Sequence, residues 1–97
     1  MSPLLIAEIF VKDQASATTL WGILAERQPA MKKAGCHTFE RYVDQDDSNH
    51  LVYAARWASR GHYDEYLQWA RTQPNSEEFE ACFVSPPRTI WLDETEA

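Results

Sequence analysis

An α+β domain built on an antiparallel sheet is predicted by three features of this sequence: an apolar run near its start, an alternating hairpin pattern in its middle, and two stretches whose apolar residues recur at helical spacing. A chain of 97 residues with no Gly/Pro/Ser-rich linker and no internal repeat has room for one domain, residues 1–97. Such a domain buries roughly 60 to 65% of its unfolded surface. Yet 44% of the residues are apolar, with four Trp, four Tyr and four Phe. Part of that aromatic surface is therefore expected to line a pocket or a subunit interface.

The run from Leu4 to Lys12 is almost continuously apolar, which predicts a central strand covered on both faces. Lys12, Asp13 and Gln14 end it. Ser16 then stands where a helix cap is needed, ahead of Leu20, Ile23, Leu24 and Met31 at helical spacing, with Trp21 beside them. Pro29 interrupts this pattern and predicts a kink or a fresh turn, and Gly35 suits the terminator. A second strand over Cys36 to Val43, the polar run Asp44 to Asn49, and a third strand over His50 to Ala58 read as a hairpin. Ser59 opens a second helix whose stripe is Tyr63, Tyr66, Leu67 and Ala70, and Pro74 stops it. Ser76 caps a short third helix over Glu77 to Phe83, Ser85-Pro86-Pro87 breaks that helix, and Arg88 to Leu92 forms the last strand. The acidic tail from Asp93 to Ala97 reads as frayed. This order is the split βαβ arrangement of a ferredoxin-like fold, with helices on one sheet face only. The simplest cover for the other face is a second copy of the same sheet.

Nine Lys+Arg against fifteen Asp+Glu give a net charge of −6, with the basic residues scattered. A phosphate backbone would be repelled, so nucleic acid is not an expected partner. Cys36 and Cys82 form no CxxC, no metal spacing and no disulfide framework, which fits the reducing cytoplasm. The opening apolar run lacks a basic leader and is too short to span a bilayer, so no membrane association is expected. His37 and His50 start the two hairpin strands, and with no HxH or HxxxH spacing no metal site is expected. The acidic loop fails as a calcium site, since Asn49 stands in place of the turn glycine and Ala55 in place of the twelfth-position Glu. Glu8 and Arg56 are charges inside apolar strands. Either they pair, if their strands are neighbours, or they face a wet cavity where Arg56 would bind an anionic group.

Four features of the chain carry a resemblance. Helix one runs into Ala34-Gly35-Cys36; a hairpin follows; Arg56-Trp57-Ala58-Ser59 joins a strand-ending Trp to a helix cap; and Tyr63, Tyr66 and Leu67 precede a short segment around Phe79 and a proline-flanked final strand. In these the sequence resembles the antibiotic biosynthesis monooxygenase family of the dimeric α+β barrel superfamily, where the first of these motifs is usually Pro-Gly-Cys. It departs from that pattern at Tyr66, where many members have His, at Ala55, where many have Glu, and in a longer connection over residues 72–75. The resemblance implies a homodimer and a cofactor-independent monooxygenase, with no cofactor, acting on an aromatic, quinol-like or polyketide-like small molecule.

On that reading Trp57 ends its strand in the ligand cavity, with Tyr53 on the same face by alternation, and Tyr63, Phe79, Phe83 and Arg56 complete the pocket. Tyr66 or His62 assists deprotonation, because oxygenation without a cofactor needs an electron-rich anion held away from water. The competing reading makes Trp57 and the tyrosines simple core, His62 an exposed residue one step off the stripe, and the protein a non-catalytic ligand-binding or structural dimer. Haem degradation, a third activity in the superfamily, lacks its first-strand Asn here and retains only Trp57, with Cys82 or His62 as the remaining contacts for haem.

Overall fold

The computed structural model describes residues 2–95, so Glu96 and Ala97 of the expected frayed tail lie outside the described residues. Seven elements follow one another: β1 Leu4–Phe10, α1 Gln14–Ala34, β2 Cys36–Val43, β3 His50–Trp57, α2 Arg60–Arg71, α3 Ser76–Ala81 and β4 Arg88–Leu92. The strands form one antiparallel sheet in the order β2-β3-β1-β4. This is the ferredoxin-like arrangement, with the helices on one face. The shortest dimension is 19 Å, the depth of one sheet and one helix layer.

β1 lies inside the sheet, and its register sets the two faces. Leu5, Ala7 and Ile9 point at the helices and are buried, whereas Leu4, Ile6 and Glu8 are half-buried on the opposite face. The expectation of full cover on both faces is thus corrected for the single chain, because the helices shield only alternate residues. On the uncovered face β4 exposes Ile90 and Leu92, each more than 40% accessible, and β1 exposes Phe10.

Helix α1 starts one residue after Asp13, whose Oδ1 accepts from the Ser16 N–H at 2.7 Å. Asp13, not Ser16, is the cap. Pro29 neither ends the helix nor opens a new one, since α1 runs unbroken from Gln14 to Ala34. Proline removes only one donor and its φ is already helical, and burial of Leu24 and Met31 on either side holds the helix together. Gly35 closes it in the left-handed region, φ 116°, its N–H donating to the Lys32 carbonyl at 3.2 Å. A Cβ at this position would also meet the His62 ring at 3.0 Å.

Ser59 caps α2, accepting from the His62 N–H at 3.2 Å. Helix α3 is shorter than expected, ending at Ala81, and its N-terminal neighbour is Asn75 rather than a capping serine. The chain then turns back along β1, where Lys12 N–H donates to the Cys82 carbonyl and Val84 N–H to the Phe10 carbonyl. The acidic loop is a turn closed on itself: Asp44 Oδ1 accepts from Asp46 N–H and Asp47 Oδ1 from Asn49 N–H. Glu8 and Arg56 share the open face but do not pair. In register they stand opposite Val52 and Leu4, four residues apart along β1. Glu8 instead meets His50 Nε2 at 3.3 Å, and Arg56 meets Glu94 at 3.4 Å. The Asp44 carboxylate, 2.8 Å from His50 Nδ1, raises the His50 pKa, with partial burial opposing and Glu8 adding to the rise.

Trp57 is 1% exposed, under Tyr63 (ring centroids 5.2 Å, T-shaped) and Tyr66 (5.4 Å). Trp57→Ala is expected to lower stability by about 3–5 kcal/mol in urea unfolding, the loss for a buried aromatic. Gly35→Ala is expected to cost more than about 1 kcal/mol, a fall in Tm of at least about 4 °C. Calorimetry checks it, and an unchanged Tm would mean that His62 and the left-handed turn relax without cost.

Candidate functional site

Between sheet and helices lies a cavity of about 320 Å³. Its floor is Ala7, which has Tyr53 of β3 on one side and Thr89 of β4 on the other, each directly in register. A methyl group flanked by a tyrosine and a threonine leaves a hollow that no helix side chain fills. Tyr63, Tyr66 and Leu67 of α2 form one wall, Phe79 and Phe83 another, and Leu24 and Arg27 of α1 close the inner end. Arg71 and Glu80, both exposed, line it as well. The volume falls in the usual range for small-molecule sites, and the lining is mainly apolar with a few polar groups.

The three tyrosines carry the polar chemistry. Burial holds the Tyr53 hydroxyl well above the ordinary phenol pKa, and neighbouring Tyr63 adds to the shift. Tyr63 is also raised by burial, although its hydrogen bond with Tyr53 opposes the rise. Burial pushes Tyr66 up to about 12 against the pull of the Arg27 guanidinium. All three are therefore protonated near neutral pH and act as hydrogen-bond donors, not bases. The Tyr66 hydroxyl is buried beside the Arg27 guanidinium, with no acceptor for its own proton.

Of the residues expected at the site, Tyr53, Tyr63, Tyr66, Phe79 and Phe83 line the cavity together. Three do not. Trp57 stands four residues beyond Tyr53, roughly 13 Å further along β3, where Tyr63 and Tyr66 roof it over as core. Arg56 points to the opposite sheet face, since alternation separates it from Tyr53 and Trp57, and it donates to the Ser2 carbonyl at 3.1 Å. His62 is exposed on the first turn of α2 with its Nδ1 2.6 Å from Ser59 Oγ, outside the cavity lining. Neither expected proton acceptor is thus available there: His62 faces away and Tyr66 holds its proton. Cys82 is also outside the lining, its thiol donating to the Glu78 carbonyl at 3.4 Å. Among the described residues no group of three or more His, Cys, Asp or Glu is gathered to hold a metal, and no helix is long and apolar enough to cross a membrane.

Arg27 is the site residue that the sequence reading passed over. It occupies the buried stripe Ala17, Leu20, Leu24, Arg27, Met31 and is itself only 6% exposed. A charged residue three after Leu24 and four before Met31 was the available signal, because helical geometry puts those positions on one face.

No family model matches the sequence, and no curated protein matches it. Solved structures do match. A putative antibiotic biosynthesis monooxygenase from Bordetella bronchiseptica is 18% identical, with a TM-score of 0.74, covering 98% of this chain and 99% of that one. SnoaB, a cofactor-independent oxygenase from Streptomyces nogalater, is 16% identical with a TM-score of 0.70, covering 98% and 96%. A Streptomyces coelicolor monooxygenase in complex with nanaomycin D is 18% identical with a TM-score of 0.71, covering 99% and 89%. With a four-stranded antiparallel sheet, helices on one face and full-length superposition on these chains, the protein has the fold of the antibiotic biosynthesis monooxygenase domain.

Proposed function

We propose that this protein is a cofactor-independent monooxygenase that takes an aromatic, quinol-like or polyketide-like small molecule into the Tyr53–Tyr63–Tyr66 cavity. The observation that carries this reading is that cavity: an apolar space of about 320 Å³ with three protonated phenols on its walls. The shared fold with a cofactor-independent oxygenase supports it. An activated ring CH₂ group and one O₂ become a ring carbonyl and one water, so one oxygen atom enters the product and the other leaves reduced by the substrate's own electrons. The protein's part is to hold the substrate's oxygen by phenolic donors while it carries negative charge, and to exclude water from the ring. With His62 outside the cavity lining and Tyr66 keeping its proton, the substrate enters already deprotonated.

Oxygen uptake with an anthrone- or hydroquinone-type substrate, corrected for autoxidation, tests the reading. Uptake is expected to depend on the protein and to fall by about 10²-fold in Tyr66→Phe. Uptake no faster than the blank would leave a ligand-binding or structural protein instead.

The same proposal includes a homodimer in the cytoplasm. Leu4, Ile6, Val52, Ala54, Ile90 and Leu92 share the sheet face that no helix covers, and an apolar patch of this kind on a two-layer domain favours association. Sedimentation velocity is expected to give a dimer for the parent chain and a monomer for Ile90→Lys. A monomeric parent at micromolar concentration would overturn it.

A further inference from the structure

Arg27 is buried inside a cavity with no charge to balance it. The residue is 6% exposed, and among the described residues no carboxylate lies within ion-pairing distance of its guanidinium. Nη2 donates to Asn75 Oδ1 at 2.8 Å, and the Cζ sits 5.0 Å from the centre of the Phe79 ring. These contacts are with a neutral amide and an aromatic face. Nε has no acceptor at all. Arginine is rarely buried without an anionic partner, because it cannot escape the desolvation cost by losing its proton.

A second buried polar group lies beside the first. The Tyr66 hydroxyl lines the same cavity with no acceptor for its own proton, and the Arg27 guanidinium acts on it by both charge and hydrogen bond. A permanent cation and a phenol that keeps its proton thus meet on one side of the cavity lining. The remaining charges on the lining are Arg71 and Glu80, both exposed, so the buried end of the cavity is positive.

We propose that Arg27 and Tyr66 form an anion-binding subsite at the inner end of the cavity, and that the ligand is a planar aromatic molecule presenting an anionic oxygen to it. The ring lies between Phe79, Phe83 and Leu67, and the anionic oxygen accepts from the Arg27 guanidinium and the Tyr66 hydroxyl once a shift of these two buried side chains uncovers them. This deepens the oxygenase reading and rests on the same cavity: a buried cation stabilises a deprotonated substrate where neither His62 nor Tyr66 takes its proton. Arg27 is then a binding residue as well as a link that ties α1 to the start of α3 through Asn75.

Isothermal titration with 2-naphthoate, its neutral isostere 2-naphthamide, and 2-naphthol over a range of pH tests the subsite. The expected result is 2-naphthoate binding about tenfold or more tighter than 2-naphthamide, the worth of a hydrogen bond to a charged group. Arg27→Gln removes that preference and leaves 2-naphthamide binding in place. For 2-naphthol, affinity that climbs as the phenol ionises identifies a phenolate as a second acceptable anion, and a flat profile restricts the subsite to carboxylates. Equal binding of acid and amide by the parent protein, or no binding of either, overturns the proposal without recourse to a variant. Should Arg27→Gln fail to fold, Tyr66→Phe must still narrow the gap between acid and amide. The titrations read binding alone, so a protein that prefers the anion but consumes no oxygen fails only the oxygenase reading, and one that consumes oxygen without preferring the anion fails only this proposal.

Discussion

Strand β1 is bonded along both of its edges, to β3 on one side and β4 on the other, and its register decides which side chains meet on each face. A shift of one residue would send Leu5, Ala7 and Ile9 to the open face and bring Glu8 under the helices. In the observed register Ala7 falls between Tyr53 and Thr89, and its methyl group leaves the hollow on which the cavity depends. The open face follows from the same pairing. Leu4 and Ile6 line up with Leu92 and Ile90, producing an apolar surface on the side the helices do not reach.

Arg27 stands where an apolar side chain would fit the buried stripe of α1. A leucine or methionine at this place in the α1 stripe would add apolar burial without charge, and replacement of buried ionic groups by apolar ones is often neutral or favourable. Instead the guanidinium is accommodated by an amide, a ring face and an open cavity. Local rules are usually broken where a site is being built. The Arg27 guanidinium and the Tyr66 hydroxyl act on one another by charge and hydrogen bond, so they belong together as one feature of the cavity lining.

The tyrosines change character once they are packed. In sequence, Tyr66 stands where a proton acceptor would be useful, and His62 is the nearest imidazole. In the folded chain, burial raises the Tyr66 pKa to about 12, while His62 turns to Ser59 at the helix start. The cavity is thus a place of donors and positive charge, suited to receiving an anion rather than to making one by proton abstraction.

Periodicity and punctuation in the sequence determined the seven elements and their order. β2 and β4 match their expected bounds, and Gly35, Ser59 and Pro74 end or begin helices as their backbone chemistry requires. The stripe Tyr63, Tyr66, Leu67 and Ala70 was legible as one face of the second helix, because residues three and four apart share a helix face, and in the structure that face lines the cavity. Local pattern did not reveal that Pro29 would sit inside one continuous helix, that Trp57 would become core, or that Arg56 would pair with Glu94. Those outcomes depend on what each residue meets across the fold. The same is true of Arg27, which sequence spacing puts on the buried stripe but whose lack of an anionic partner emerges only when α1, α2 and α3 close around it. Spacing along a chain specifies the face a side chain occupies. Only the packing of distant segments specifies whether its charge is answered, and in this protein that difference is where the candidate function lies.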